Sequence, residues 1–376
     1  MQTLSTEPDE TVLAKEAERL HAKLSKTGFR MEDCAIIAPL TYEINRLKKA
    51  KNAVILAHHY MTPDIVYGIA DHAEDASGLV RRAEETDADM IVMCSVLSLA
   101  EAVKIARPDK IVLCPDLTAG CSVAESINLD QVMELKRQNP GIPTVAYVNT
   151  TGDVKAAADY LVTSANVRQV VANIPEKKII FFPDHALARS LEEELGKEVI
   201  SWDGKCVVHD NYTLEQVVQF RQLHPDTHVL FHSEVDPSLY AHGEMHGGTR
   251  AMKEYVARHP EVDSFFLVTE CGLSDQLRVE YPEKKFIGTC ALCPFMKRID
   301  LENTLKALKE EAPALDFLPE IMANARTAYL RTKLLLAKTA AKEVGRTVQR
   351  HRECGSVPFP VGAESDYAKA DGQIGI

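Results

Sequence analysis

Three times along this 376-residue chain the same order of segments recurs, at intervals of about 87 residues. Three apolar, β-branched runs end in polar residues: AVILAHHY (53–60), TVAYVNTT (144–151) and HVLFHSEV (228–235). A second set is MIVMCSV (90–96), KIIFFPD (178–184) and SFFLVTE (264–270), and a third is DKIVLCPD (109–116), KEVISWD (197–203) and KKFIGT (284–289). Short apolar runs bounded by turn residues predict buried strands. Between them, DIVYGIADHAEDASGLVRRAEE (64–85) predicts one helix with Ile65, Ile69, Ala73, Ala76 and Val80 on a single face. LAEAVKIA, LARSLEEELG and LSDQLRVEY predict shorter amphipathic helices at matching places in the three cycles. Strand–helix alternation of this kind predicts an α/β fold of parallel sheets covered by helices. Ile91, Ile179 and Phe265 hold equivalent places, 88 and 86 residues apart, so the repeating unit has the size of a small domain. The period divides the chain into an N-terminal helical extension (1–51), three α/β/α repeats (52–142, 143–226 and 227–317) and a C-terminal helix with a mobile tail (318–376).

The nine cysteines (34, 94, 114, 121, 206, 271, 290, 293 and 354) separate by setting. Cys94 and Cys114 lie in strand-like runs, where a thiol behaves as a small hydrophobe. Cys290 and Cys293 form a C-x-x-C in GTCALCPF, but there is no second C-x-x-C to complete a zinc knuckle. A thioredoxin-like dithiol is the other local reading. A long-range pattern is more informative. Cys121 in TAGCSV, Cys206 in DGKCVVH and Cys293 in CALCPF each follow the third strand of a cycle, with 206 − 121 = 85 and 293 − 206 = 87. Ligands of open α/β sheets bind beyond the carboxyl ends of the strands. Three units with those ends facing inward bring three thiolates to one point. Such a set suits a soft metal centre: zinc, or a [4Fe–4S] cluster with one iron left open as a Lewis acid.

The first strand of each cycle supplies polar pairs on a shared face: His58 with Tyr60, Tyr147 with Asn149, and His232 with Glu234. A histidine beside a carboxylate is a general acid–base pair, and tyrosine passes a proton. Ser164 in LVTSAN and Thr249 in HGGTR suit an anion at a helix start, with Lys155 and Arg250 read equally as anion partners or as surface charges. No dinucleotide or Walker loop occurs. The formal net charge of −12 argues against a nucleic-acid binder, but a small anion needs only a local cluster of donors. No run of eighteen apolar residues appears and the first twenty residues lack a signal-peptide pattern, so the expected location is cytoplasmic.

From about residue 44 to 340 the chain resembles the quinolinate synthases of bacterial NAD biosynthesis. The resemblance is carried by ILAHHY, LAEAVKI with RPDK, AYVNTTGDVKAAAD, TSANV, GKCVVH, HSE, GGTRAM, TECG and CPFMKRIDLENTLKAL. It implies three α/β/α domains around a pseudo-threefold axis and a central [4Fe–4S] cluster on Cys121, Cys206 and Cys293. It implies condensation of iminoaspartate with dihydroxyacetone phosphate to quinolinate, phosphate and water, with an aspartate oxidase or dehydrogenase as source of the imine. Substrate contacts then fall on His58, Tyr60, Tyr147, Asn149, Ser164, His232, Glu234 and Thr249. Proton transfers fall to Tyr60, His232 and Glu234, while Tyr147 and Asn149 position the carbon skeleton. Cys290 becomes an onlooker or a redox partner. The chain departs from the family pattern in two places. Where the family has Gly-Asp-Ser, this chain has Ala76 at the serine position and Ser77 one step around the helix, the candidate substrate contact in its place. Where the family has Gly-Ser-Thr-Gly, this chain has Gly247, Gly248, Thr249 and Arg250, with Arg250 a candidate to compensate. The rival readings are an iron–sulfur dehydratase of another small hydroxy acid, a cluster-based redox or iron sensor, and a zinc-stabilised binding protein.

Overall fold

The fold is that of a computed structural model describing residues 8–288 and 291–353, with side chains through residue 341. Twelve strands are defined among them. The first sheet holds β1 (Ala53–His58), β2 (His72–Glu74), β3 (Met90–Cys94) and β4 (Ile111–Leu113). The second holds β5 (Thr144–Tyr147), β6 (Tyr160–Val162), β7 (Lys178–Phe182) and β8 (Glu198–Ser201). The third holds β9 (His228–His232), β10 (Met245–Gly247), β11 (Ser264–Val268) and β12 (Lys285–Phe286).

All three sheets share one strand order, second–first–third–fourth, and every pairing is parallel. Equivalent register pairs at the centre are Leu56↔Met93, Val145↔Phe181 and Leu230↔Leu267. These strands are buried on both faces, which is why they read as continuous apolar runs rather than alternating ones. The chain reverses direction across each sheet between its first and third strands. That is the switch point beyond whose carboxyl end a crevice opens, and the polar pairs at 58/60, 147/149 and 232/234 stand there.

The α/β prediction holds, with one correction. Residues 64–85 are not one helix but a short helix (Pro63–Gly68), the edge strand β2 and a second helix (Ala76–Glu85). The Asp71 carboxylate accepts the Ile55 N–H at 2.9 Å and so holds the chain against β1. Asp75 then restarts the helix by accepting the Gly78 N–H at 2.7 Å. The apolar period runs through both helices, so periodicity alone missed the break.

Two helices (Glu10–Leu24 and Met31–Ala50) precede the first sheet and bury Leu20, Leu24, Cys34 and Ala38 between them. A long helix (Pro319–Glu353) follows the third sheet. Its Ala328 packs into the second-repeat core with Val154, Ile180 and Phe182, and the Thr332 hydroxyl accepts the Leu161 N–H at 3.0 Å. The expected mobile tail, ESDYAKADGQIGI (364–376), lies outside the described residues. No helix among the described residues is long and apolar enough to cross a membrane.

Candidate active site

Each of the three equivalent cysteines opens the same local structure. The Cys121, Cys206 and Cys293 carbonyls accept from the N–H groups of Glu125, Asp210 and Lys297, four residues on, at 2.9, 2.9 and 3.2 Å. One turn of 3₁₀ helix therefore starts three residues after each cysteine, at Ala124, His209 and Met296. Within each turn two backbone N–H groups reach back to the thiol: Val123 and Ala124 to Cys121, Val208 and His209 to Cys206, Phe295 and Met296 to Cys293. Burial pushes the Cys121 thiol up to about 12 and raises Cys206 and Cys293, while these amides favour the thiolate. A capping box closes each unit at Asn128, Thr213 and Asp300 and starts the next helix.

The three loops are cross-tied. Ser122 Oγ donates to the Lys205 carbonyl at 3.0 Å and accepts the Val207 N–H at 3.1 Å, gripping both sides of Cys206. Arg298 reaches Thr118 Oγ1 at 3.0 Å, joining the Cys293 and Cys121 loops. Glu270, fully buried, gathers the third loop. One of its oxygens takes Lys297 Nζ at 2.8 Å and the Cys293 N–H at 3.2 Å, and the other takes the Gly272 N–H at 2.6 Å. Lys297 also donates to the Tyr60 carbonyl. A Cβ on Gly272 would stand 2.9 Å from that carbonyl oxygen, so only glycine permits this approach of the two loops.

The three thiols line one central cavity, whose free space, counted with the part open to solvent, is about 590 Å³. His58, Tyr60, Tyr147, Asn149, Ser164, His232, Glu234 and Thr249 line it with them. His58 and His232 hold equivalent positions and equivalent bonds: the Nδ1 of each accepts the N–H two residues on, from Tyr60 at 3.2 Å and from Glu234 at 3.3 Å. A backbone N–H can only donate, so each ring carries its proton on Nε2 and is neutral. Burial acts in the same direction, taking His58 down to about 4 and His232 to about 3.

A continuous hydrogen-bonded chain runs along the wall. Tyr60 Oη meets Thr269 Oγ1 at 2.7 Å, Thr269 Oγ1 meets His209 Nε2 at 3.0 Å, and His209 Nδ1 meets Glu234 Oε2 at 3.1 Å. Tyr147 donates to the other oxygen, Glu234 Oε1, at 2.7 Å. Burial works against the charge on Glu234, but the bond from His209, the facing imidazoles of His232 and His209 and the bond from Tyr147 together hold the carboxyl below its usual range. Burial raises both tyrosines well above theirs, with Glu234 adding to the rise. The ring of His209 also stacks on His232, with centroids 4.3 Å apart.

Sequence reasoning missed His209, Thr269 and Asp75, the last of which also lines the cavity. The available signal for His209 was its place three residues after a cysteine, where the other repeats carry Ala124 and Met296. Among the proposed substrate contacts, Ser77 is not at the wall: its hydroxyl is 2.7 Å from Thr163 Oγ1, and Ala76 faces the cavity. Arg250 is exposed and paired with Glu254 at 3.1 Å. Lys155 is neither a surface charge nor a wall residue: it is fully buried and paired with Glu101 at 3.5 Å. Cys94 and Cys114 are buried free thiols, as read. Cys271 is disulfide-bonded, and Cys290 and Cys354 lie outside the described residues.

Three like sheets around a thiol-lined cavity with an acid–base chain on its wall define an α/β enzyme built by repetition. The comparisons give its family. The profile of NadA, quinolinate synthetase A protein, matches residues 42–333. Relatives named quinolinate synthase include one from Xylella fastidiosa (strain 9a5c), 43% identical over 319 residues that cover 83% of this chain and 94% of its own. One from Agrobacterium fabrum is 42% identical over 288 residues, 77% of this chain and 83% of its own, and "Quinolinate synthase 1" of Mesorhizobium japonicum is 42% identical over 77% and 89%. The chain belongs to the quinolinate synthetase A family.

Proposed function

We propose that the chain condenses iminoaspartate with dihydroxyacetone phosphate, giving quinolinate, inorganic phosphate and two waters. Family membership is the observation that carries this reading, and the wall of the cavity supports it residue by residue. The donor set fits a [4Fe–4S] cluster: three thiols on equivalent, cross-tied loops face one space, each already served by two amides. Cys121, Cys206 and Cys293 would hold it, and its remaining iron would supply Lewis acidity toward carboxylate and hydroxyl oxygens.

The chain's own groups account for binding and proton movement. Both substrates are anions, and the wall offers neutral donors. His58 and His232 present Nε2–H groups. Ser164 and Thr249 present hydroxyls beside the helix Thr249–Arg258, whose N-cap Gly248 leaves the first amides without a side-chain cap. Those amides suit the phosphate or a carboxylate. Asn149 fixes the carbon skeleton through its amide. Glu234 is the base of the site. Tyr60 protonates or deprotonates an oxygen in the cavity, and Thr269 and His209 pass that proton to or from Glu234. Tyr147 serves the same carboxylate from the opposite side. Isomerisation, imine formation and dehydration each need a proton taken at one atom and returned at another, and this chain provides both ends. The three repeats at 52–142, 143–226 and 227–317 are read as the domains that contribute one cysteine loop each, in a cytoplasmic enzyme supplied with imine by an aspartate oxidase or dehydrogenase.

Anaerobic turnover tests the reading. With iminoaspartate generated in situ and dihydroxyacetone phosphate present, quinolinate and inorganic phosphate should appear in equal amounts. Phosphate release without quinolinate, or no reaction by iron-loaded protein, contradicts the assignment.

A further inference from the structure

Cys206 Sγ, His209 Nδ1 and a carboxylate oxygen of Glu234 lie within 4.8 Å of one another. His209 Nδ1 is 3.3 Å from the sulfur and 3.1 Å from Glu234 Oε2. In a tetrahedral zinc site, bonds of about 2.0–2.3 Å place ligand atoms about 3.3–3.6 Å apart. We propose that these three side chains form a mononuclear site for a zinc-type divalent cation in the chain that carries no cluster, with its fourth position open to the central cavity.

Three features beyond spacing support the site. First, the groups that orient metal ligands are already present. His209 Nε2 is 3.0 Å from Thr269 Oγ1, which fixes the ring and its other proton when Nδ1 faces a metal. Tyr147 occupies Glu234 Oε1 and leaves Oε2 directed at His209. Second, the charges balance. A dication with one thiolate, one carboxylate and one neutral imidazole sums to zero, the condition under which a buried ionic site is least costly. Third, His209 is 1% exposed and Glu234 7%, so the ligands are held by packing. Binding is a proton-balanced exchange: the metal–sulfur bond forms as the Cys206 S–H proton leaves to solvent, and the His209 proton moves from Nδ1 to Nε2.

The consequence is competition. Cys206 cannot serve this ion and a cluster together, and the ion also ties up Glu234. A zinc-loaded chain therefore resists cluster assembly until a chelator removes the metal. This competition rests on the proposed cluster; the ion site does not.

The test uses full-length protein, stripped of iron and sulfide and handled anaerobically. Titration with Co²⁺ should show one equivalent bound, with a sulfur-to-cobalt charge-transfer band and the intense visible bands of a four-coordinate ion, both erased by one equivalent of Zn²⁺. His209→Gln and Glu234→Gln should each abolish the stoichiometric signal while circular dichroism stays that of the parent. Thr269→Val should weaken binding about 10–100-fold. Cys121→Ser and Cys293→Ser should bind like the parent. Loss of cobalt binding in either serine variant, with His209→Gln unaffected, overturns the proposal by showing that the three thiols hold the ion instead. Absence of any bound ion in folded parent protein also overturns it. A parent that binds cobalt but makes no quinolinate sustains the ion site and contradicts only the catalytic reading.

Discussion

Glu234→Gln should lower kcat by about 10²–10⁴-fold, the range expected when a general acid–base group is lost. KM should change far less. The amide keeps the size of the carboxyl and still accepts from Tyr147, so the wall retains its shape. It cannot take up a proton, and its NH₂ group turned toward His209 Nδ1 reverses the direction of that hydrogen bond. Thr269→Val cuts the same chain at its middle, between Tyr60 and His209, without removing an ionisable group, and should reproduce most of the kcat loss. A matched pair of kcat losses identifies a relay. A large loss in Glu234→Gln with wild-type turnover in Thr269→Val would show that the carboxylate acts alone. His58 and His232 are neutral above about pH 4, so neither contributes a limb to the rate profile between about pH 5 and 8.

Lys155→Met should destabilise the fold by about 3–5 kcal/mol, the cost of breaking a buried ion pair by removing one partner. Lys155 is fully buried and joins two repeats. Its ammonium pairs with Glu101 on the helix Leu97–Ala106 of the first repeat and donates to the Thr150 carbonyl, next to Asn149, in the second. Burial lowers Lys155 and raises Glu101, each opposed by its partner, so neither charge is comfortable without the other. Methionine fills the volume of the lysine stem but leaves the Glu101 carboxylate buried and uncompensated. The double variant Lys155→Met with Glu101→Gln should recover much of the loss, and chemical denaturation of the four proteins measures the coupling. A Lys155→Met stability within about 0.5 kcal/mol of the parent would show that the pair does not hold the repeats together.

The long-range architecture was legible because it rests on burial. Strands such as Ile179–Phe182 and Phe265–Val268 are covered on both faces, and a run of apolar residues is the direct imprint of that. The edge strands β2, β6 and β10 were not legible: β2 (His72–Glu74) and β10 (Met245–Gly247) form no apolar run, and β6 (Tyr160–Val162) is a run of three, whereas the equally short edge strands β4 and β12 were picked out by their matching places in the cycles. The cysteine spacing was legible because the three loops are equivalent: each cysteine opens the same turn after the third strand of its cycle. A further signal in the same loops went unread. INLDQ, YTLEQ and IDLEN repeat the capping boxes at Asn128, Thr213 and Asp300, each seven residues after its cysteine.

The site was legible where a strand end fixes two side chains on one face, as at His58 and Tyr60 or His232 and Glu234. It was not legible where repeats differ. His209 has no counterpart in Ala124 or Met296, so symmetry hid it, and Thr269 reads as an ordinary strand-end threonine until His209 and Tyr60 are seen to meet at its hydroxyl. Ser77 followed from a hydroxyl missing at position 76, but a helix turns each successive side chain by about 100°, and that step sends Ser77 to Thr163 instead of the cavity.

Iron and acid-labile sulfide, measured per chain in anaerobically purified protein, test the central claim most directly. About four of each are expected in the parent, as in Cys94→Ala and Cys114→Ala. Cys121→Ala, Cys206→Ala and Cys293→Ala should each lose the brown colour, most of the iron and all turnover. A brown, iron-replete, active protein from any one of these three would contradict the claim that the loops meet to hold a single cluster.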